Sequence, residues 1–370
     1  TFDDVVNFII SECDAIALEL PDDYSNFSDV AETGRATKGA ALALKSRMLL
    51  YAASPLHNTN NDISIWVDAA SAAKSVIDLN VYTLENNYSN VVNNFTSNEL
   101  IFERRQVNTN DFERRNFPVG YEGGNTGTCP TQNLVDTYEM QSNGLAITDP
   151  ASGYDPQAPY SGRDPRLQQT IIVNGSNWKG QTVESFIGGA NGRPITNATK
   201  TGYYLKKYVI EAINLSPTNT TSREHTWVLF RYGEVLLNYA EAMNEAYGPE
   251  NGAAFGLTAL DAVNQVRQRA NMPNFPAGLS QSEFRDKLRN ERMVELAFED
   301  HRFWDIRRWK IGQQTTNIFQ MEITQNNGGN GFVFEKKLLE VRPYEERMNI
   351  YPIPQAELFK NENLTQNTGW

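Results

Sequence analysis

Apolar residues recur every three or four positions in two separate parts of this chain, and residues 81 to 225 between those parts lack any such recurrence. In the second part the recurring residues include Leu229, Tyr232, Leu236 and Tyr239. This spacing places side chains on one face of an α-helix, so both parts are predicted to form amphipathic helices. We therefore expect a mostly α-helical fold that one long irregular region interrupts.

The first part, residues 1 to 80, contains three predicted helices. One apolar stripe begins at Val5 and ends before Pro21, a second runs through residues 34 to 54, and a third includes Trp66. Alanines at contact positions allow neighbouring helices to approach closely. The stacked helical pairs resemble tetratricopeptide-type pairs, although the sequence has no strict repeat of fixed period.

The middle region, residues 81 to 225, is rich in Asn, Gly, Thr, Tyr and Pro and is predicted to be mostly loops. Dipeptides such as Gly123-Gly124 and Asp149-Pro150 are typical of turns. Long irregular segments in a compact protein usually carry its function, because a rigid scaffold frees them to form a binding surface. We therefore expect the ligand site in this region.

The second helical part begins with a predicted helix over Thr226 to Tyr247, followed by a helix that Pro273 ends. Ser280 and Glu283 then form a predicted capping box, in which each side chain satisfies an unpaired amide at the start of the next helix. The tail after Gly312 is expected to be irregular.

Short strands are predicted within that tail, over residues 331 to 335 and 348 to 353, and the GGNG sequence at residues 328 to 331 predicts a tight turn. No run of Pro, Gly or Ser separates two parts of different composition. We therefore expect one domain over residues 1 to 370. It comprises helical pairs (1–80), a loop-rich binding region (81–225), a helical scaffold (226–312) and an irregular tail (313–370).

The formal net charge of −12 excludes nucleic acid as an expected partner, because it would repel a phosphate backbone. The sequence has no apolar run long enough to span a bilayer, and the acidic residues in its first segment, TFDDVVNFIISECD, are not typical of a signal peptide. Its two cysteines, Cys13 and Cys129, are too few for a disulfide framework. Glu12 precedes Cys13 and argues against lipid attachment there, so a structural thiol on a helix is expected.

Glu291 and Glu295 are four residues apart, so both lie on one face of a predicted helix and could serve as acid and base in glycoside hydrolysis. That chemistry requires carboxylates on opposite sides of a cleft, whereas these two point the same way. We favour the alternative that they form a buried ion-pair network. The expected partners are nearby cations, namely Arg292, Arg302, Arg307 and Arg308.

No metal or cofactor is predicted. The three histidines, His57, His225 and His301, lack the spacing of a zinc motif. Oxygen ligands occur together in one short loop, but that loop lacks the glycine and the distal glutamate of a calcium-binding EF-hand. A solvated turn is the favoured interpretation of this loop, whose oxygen-bearing residues are Asn58, Asn60, Asn61 and Asp62.

Four segments of the chain closely resemble the SusD/RagB family, and NELIFERR near Asn98 and SGRDPRL near Ser161 resemble it more weakly. The segment LRNERMVELAFEDHRFWDIRRWK is the most specific. Together the segments extend over nearly the whole chain. The four are GRATKGAALALKSRMLLYAASPLHN (34–58), FRYGEVLLNYAEAMNEA (230–246), LRNERMVELAFEDHRFWDIRRWK (288–310) and YPIPQAELFKNENLTQNTGW (351–370).

The resemblance implies a helical SusD-like fold that carries an irregular ligand-binding region. It also implies a lipid anchor at the outer membrane facing outwards and a SusC-like TonB-dependent transporter as partner. The implied ligand is an oligosaccharide, or a peptide or glycopeptide in some members. Members begin with a lipid-attachment cysteine and further helices that are absent before Thr1, so we expect a truncated chain.

Aromatic residues in the loop-rich region are the candidate sugar contacts, because the C–H face of a sugar ring packs on a flat aromatic ring. Their Gly-, Asn- or Pro-rich surroundings suggest exposure, although each could instead be a packed loop anchor. The three remaining candidates are polar neighbours that would bind hydroxyl groups. The candidates are Tyr121, Asn125, Tyr154, Tyr160, Arg163, Trp178 and, near them, Asn177.

Trp66, Trp304 and Trp309, by contrast, belong to predicted helices and are expected to pack in the core or between helices. The favoured function is non-catalytic binding of an oligosaccharide at the cell surface. Two alternatives are a helical-repeat adaptor that binds a peptide and whose loop aromatics pack inwards, and a glycoside hydrolase that uses Glu291 and Glu295. Exposure of Trp178 and the tyrosines would distinguish sugar binding from the adaptor.

Overall fold

The computed structural model describes residues 1–24, 34–326, 328–329 and 331–370, apart from the side chain of Ala254. Three helices begin the chain, as the periodicity predicts: α1 (Phe2–Ala17), α2 (Lys38–Ala53) and α3 (Ile63–Ile77). Thr1, Thr37 and Asp62 each accept a hydrogen bond from a first-turn amide, which satisfies a group that the helix itself cannot pair.

The second helical part consists of α7 (Tyr232–Tyr247), α8 (Ala259–Arg269), α9 (Gln281–Glu295) and α10 (His301–Arg308). The capping box of Ser280 and Glu283 is present at the start of α9. Fourteen of the sixteen residues of α7 are buried, so this helix lies at the centre of the helical core. It packs against α3, α8 and α9.

The expected helical start at Thr226 is wrong. Strand β6 (Arg223–Arg231) pairs antiparallel with β1 (Leu100–Thr109), and α7 begins only at Tyr232. The sequence REHTWVLFR is rich in β-branched and aromatic residues, which favours a strand once a partner is available. Pairing with a strand 120 residues earlier could not be inferred from local periodicity.

The middle region is loop-rich, as expected, and its regular elements are short. The helices are α4 (Asp111–Asn116), α5 (Gln132–Thr137) and α6 (Arg166–Thr170). Strand β2 (Ile171–Ile172) pairs with β5 (Tyr204–Leu205), and β3 (Asn177–Trp178) pairs with β4 (Gln181–Thr182). Three apolar clusters nevertheless bury many of its side chains, so the irregular backbone is packed.

The tail is more regular than expected, because β7 (Asn317–Gln325) and β8 (Phe332–Val341) form a long antiparallel hairpin. Gly328 and Gly331 in its connection have positive φ angles, as a tight turn requires, whereas Asn330 lies outside the described residues. The strand expected over residues 348 to 353 is wrong, since a 3-10 turn (Glu346–Asn349) and irregular backbone occupy that position. Helix α11 (Gln355–Lys360) follows.

Two of the three tryptophans expected in the core are buried, Trp66 at 3% exposure and Trp309 at 4%. Trp304 is 45% exposed, so the expectation is wrong for this residue. Cys13 is buried on α1, as expected of a structural thiol. Within the described part of the chain, no helix is both long enough and apolar enough to cross a membrane.

Candidate aromatic binding site

Glu291 and Glu295, the carboxylates with catalytic spacing, are buried among arginines. Glu291 accepts hydrogen bonds from Arg166 at 2.5 Å and from Arg267 at 2.7 Å. Glu295 accepts from Arg166 at 2.8 Å and from Arg231 at 2.7 Å. A buried ion-pair network is therefore confirmed, but the expected partners are wrong. The arginines come from other elements instead of the neighbouring positions Arg292, Arg302, Arg307 and Arg308.

These contacts keep both carboxylates ionised. Burial alone would raise the pKa of Glu295, but Arg269, Arg231 and Arg166 hold that pKa well below its usual range. The pKa of Glu291 is also lowered, because Arg166 and Arg267 outweigh the effect of burial. A general acid needs a proton near neutral pH. The observation that suggested a glycoside hydrolase is therefore explained by the ion pairs.

Four of the six segments that carry the family resemblance meet in this network. Glu99 belongs to NELIFERR, Arg166 to SGRDPRL, Arg231 to FRYGEVLL, and Glu299 follows Glu291 and Glu295 in the most specific segment. Arg231 donates to Glu99 at 2.6 Å and to Glu299 at 2.7 Å. Gly233 is needed beside them, because a Cβ there would lie 2.7 Å from Glu99 Oε1. The resemblance therefore marks the framework of the fold.

A surface cavity of about 190 Å³ lies where β1, β6 and α4 meet the loop that contains Tyr208. We call it the aromatic site and define its centre as Phe112, Tyr208, His225 and Trp227. The rings of Tyr208 and Trp227 are stacked, with centroids 4.5 Å apart and planes 19° apart. Phe112 and Trp227 are half-buried, so each keeps surface that reaches solvent. Tyr208 is buried beneath them.

Tyr208 adopts an unusual backbone conformation, with a φ angle of 69°. A bulky side chain at positive φ is strained, and such strain is concentrated at functional sites. The preceding residue, Lys207, points into the protein and donates to Glu299 at 2.6 Å and to the Tyr88 hydroxyl at 2.7 Å. Consecutive side chains therefore join the ion-pair network and the aromatic site.

Polar groups surround the rings of the aromatic site. Gln106, Thr109, Asp111 and Arg115 line its rim. His225 Nε2 lies 2.9 Å from Glu113 Oε1, and this hydrogen bond raises the pKa of His225 against the opposing effect of burial. An aromatic surface with hydrogen-bonding groups at its edge can bind a ligand that has both apolar faces and hydroxyl groups.

Two further cavities are connected to the aromatic site through shared lining residues. A cavity of about 210 Å³ shares Tyr208 with it. A third cavity, of about 420 Å³, shares Gln169 and Lys206 with the second. Shared lining residues therefore link the three cavities, with Trp227 in the first and Tyr160 in the third.

Three of the predicted candidates lie together at the far end of this series. Tyr160 and Arg163 line the third cavity, and the Arg163 guanidinium lies 5.3 Å from the centre of the Tyr154 ring. Arg163 is buried and donates to the carbonyl groups of Val135, Tyr138 and Pro159. Its hydrogen-bonding groups are thus used within the protein, whereas Tyr154 and Tyr160 are half-buried.

The other candidates lie in a separate cluster. Trp178 is only 1% exposed and packs edge-on against Phe117, with centroids 5.9 Å apart, so its expected exposure is wrong. Tyr121 is half-buried against the same cluster. Asn125 is exposed and accepts a hydrogen bond from Asn197, and Asn177 is exposed on β3. The structure does not bring these residues to the aromatic site.

The central residues of the aromatic site escaped sequence analysis. Trp227 falls within the segment that was expected to begin a helix, so it was grouped with the scaffold. The sequence signal available for Trp227 was its spacing of two residues from His225, which places both side chains on one face of a strand. Tyr208 lies in a loop, and nothing in the local sequence marks its positive φ angle.

The loop with oxygen-bearing side chains is used locally. Asn58 Oδ1 accepts from the amide of Asp62, and Asp62 caps α3. Trp66 Nε1 donates to Asn61. His57 stacks on Phe2 and His301 is buried. Over the residues that the structure describes, no three His, Cys, Asp or Glu side chains are grouped closely enough to bind a metal ion.

Comparison with solved structures gives the same fold. A SusD-like protein from Bacteroides fragilis is 28% identical, with a TM-score of 0.81 over 100% of this chain and 71% of its own. A second protein from that organism, described as a SusD-like carbohydrate binding protein, is 26% identical, with a TM-score of 0.78 over 98% of this chain and 71% of its own.

Sequence comparison agrees with the structural one. SusD-like protein P2 from Formosa agariphila is 33% identical over 171 residues, which are 44% of this chain and 29% of that protein. The matched part thus spans less than a third of the relative's length. The model of the SusD family matches residues 97–370. The chain belongs to the SusD family.

Proposed function

We propose that the aromatic site binds a sugar ring of a nutrient oligosaccharide, and that the protein captures this ligand without cleaving it. The observation that carries the proposal is the half-buried ring of Trp227, stacked on Tyr208 in a cavity with a polar rim. Sugar rings present C–H groups to aromatic faces and hydroxyl groups to polar neighbours. Family membership and the carbohydrate-binding neighbour from Bacteroides fragilis support the same ligand class.

The adjoining cavities support an oligosaccharide rather than a single sugar. Shared lining residues link them from Trp227 past Lys206 to Tyr160. In this proposal Tyr160 and Tyr154 contact the far end of the ligand, and buried Arg163 holds the loop that carries them. Tyr121, Asn125 and Trp178 do not line these cavities, so this proposal assigns them no contact with the sugar.

The proposed setting is the outer membrane at the cell surface, where a lipid anchor in the full-length protein would hold the chain. There it would deliver the oligosaccharide to a SusC-like TonB-dependent transporter. Membership of the SusD family is the support for this part of the proposal.

Calorimetric titration of a panel of oligosaccharides tests the proposal. We expect micromolar to millimolar affinity, roughly −8 to −4 kcal/mol, as is usual for shallow surfaces. Trp227→Ala should weaken binding at least about tenfold, because the ring supplies the stacking surface. Trp304→Ala is the matched control, since Trp304 is an exposed tryptophan outside the aromatic site.

Equal loss in both variants, or no loss in Trp227→Ala, would contradict the assignment of the site. The same incubations, analysed for new reducing ends, test the absence of cleavage. Hydrolysis that Glu291→Gln abolishes would overturn the proposal of a non-catalytic protein.

A peptide ligand is the second candidate, and the burial of Trp178 favours it, because inward packing of loop aromatics is expected of a peptide-binding adaptor. Here the helices would supply the binding groove. A peptide library that binds the parent protein and Trp227→Ala equally well, with no response to any oligosaccharide, would support this candidate against the first.

A further inference from the structure

Three arginines surround the aromatic site. Arg115 on α4 lines the cavity itself. Arg104 on β1 pairs directly with Trp227 on β6, and Gln106 pairs with His225, so these four side chains share one face of the two-stranded sheet. Arg223 lies two residues before His225 on β6 and therefore extends the same face.

These arginines are exposed and lack internal carboxylate partners. Within the described ranges of the chain, Arg104, Arg115 and Arg223 form no ion pair. Many other arginines form ion pairs, as the network around Glu295 illustrates, although among the described residues Arg114, Arg302 and Arg307 form none either. Three unpaired guanidinium groups beside one cavity are unexpected in a chain with a net charge of −12.

Nearby acidic groups do not neutralise this cluster. Glu113 is buried and already accepts from His225 and from the amide of Ile210. Glu224 is on the opposite face of β6 from Arg223. Asp111 is the one acidic side chain among the described residues that line the cavity. Arg115 and Asp111 balance each other within the cavity lining, so the excess of positive charge comes from Arg104 and Arg223 on the adjoining face of the sheet.

Positive charge continues towards the far cavities. Lys206 lines both of them, and its ammonium group donates to the carbonyl of Gln168 at 2.9 Å rather than to a carboxylate. An extended ligand along the proposed path would therefore meet cations at Arg115 and again at Lys206.

We infer that the oligosaccharide is acidic, with carboxylate or sulfate ester groups on its sugar rings. The inference rests on the proposed function and specifies its ligand class. Guanidinium groups bind planar carboxylates and sulfate-like oxyanions through paired N–H donors. A ring stacked on Trp227 would place its charged substituent among Arg104, Arg115 and Arg223, while its hydroxyl groups face Gln106 and Thr109.

Matched pairs of ligands test this inference by calorimetry. One pair is an oligogalacturonide and its methyl-esterified form, and the other is a sulfated oligosaccharide and its desulfated form. We expect the acidic member of at least one pair to bind at least about tenfold more tightly, and the preference to decline as salt rises. The pair that shows the preference identifies the charged group.

Variants of the full chain locate the effect. Arg115→Gln and the double variant Arg104→Gln/Arg223→Gln should each reduce the preference for the acidic ligand at least about threefold. Arg342→Gln is the matched control, because Arg342 is an exposed arginine that directly follows β8, far from the aromatic site in the sequence. All four substituted arginines are exposed, and equal denaturation midpoints would verify that the variants fold.

Different failures separate the two proposals. If neutral and acidic ligands bind equally and Trp227→Ala weakens both, the acidic ligand is wrong and the sugar site stands. If an acidic preference persists in all the arginine variants, the assignment to this cluster is wrong. If no saccharide of either kind binds, both proposals fail together.

Discussion

The helical scaffold and the middle region bury charged and aromatic groups in different ways. In the scaffold, the buried charges are matched: Glu241 accepts from Arg308 at 2.5 Å, and Arg292 donates to Asp305 at 2.9 Å. In the aromatic site, which joins the middle region to β6, rings are partly open and three nearby arginines form no ion pair with any described residue. Residues that recur in a family motif thus need not touch the ligand, since here they form the interior that supports the site.

The largest expected effect is in the ion-pair network. Arg231→Met should reduce the free energy of unfolding by about 5 kcal/mol, because it leaves Glu99, Glu295 and Glu299 buried with one partner fewer. Arg231→Lys keeps the charge and should lose less. Chemical denaturation measures the change, and Arg342→Met on the surface serves as control. A loss below about 1 kcal/mol would show that the network does not support the scaffold.

The next effect compares Trp178, in the middle region, with Trp227 on β6. Trp178→Ala should reduce the free energy of unfolding by about 4 kcal/mol, because it removes a ring that is 1% exposed from a packed cluster. Trp227→Ala should cost less stability, since Trp227 is half-buried, while it affects binding more. Denaturation and calorimetry on both variants give the comparison. The reverse order would mean that Trp178 is the binding residue.

The smallest of the three effects is acid sensitivity of the scaffold. Arg308 and Arg292 lower the pKa of Glu241 to about 2, although burial opposes the shift. A lowered folded-state pKa gives stability that is complete above the usual value of 4.5 and is lost as the pH falls towards 2. The contribution is about 3 kcal/mol.

Denaturation at several pH values between 7 and 2.5 measures this loss. Glu241→Gln should be less stable at pH 7 and show a smaller further loss on acidification. Glu340→Gln, on the exposed hairpin, should keep the acid dependence of the parent protein. Identical acid profiles in the parent and Glu241→Gln would contradict the expected role of the buried pair.

Sequence periodicity was sufficient for the helices, because amphipathic spacing and caps such as Ser280 with Glu283 are local signals. It was insufficient for β6, since its partner β1 lies 120 residues away and the segment also fits a helical period. The resemblance predicted the fold, and the carboxylate spacing predicted a network. The arginines that complete that network are Arg166, Arg231, Arg267 and Arg269, which only the tertiary structure brings together.

The site was harder to predict than the fold, because the exposure of a side chain also depends on residues that are distant in the sequence. Gly, Asn and Pro near Trp178 correctly indicated turns, but a turn can lie over a packed cluster as well as at an open surface. Exposure depends on what covers a residue, and at Trp178 that cover comes from Phe117, Val183 and Ile213. The prediction for Trp304 was wrong in the opposite direction: burial was expected, but this side chain is exposed because the described residues leave one side of α10 uncovered.

Consecutive residues Lys207 and Tyr208 point in opposite directions, one into the interior and one towards the cavity. The orientation of the aromatic ring is therefore set before any ligand arrives, and binding need not spend entropy on ordering it. The rim arginines make no contribution to this arrangement. Substitutions at the rim would thus change which ligand is bound and leave the interior unchanged.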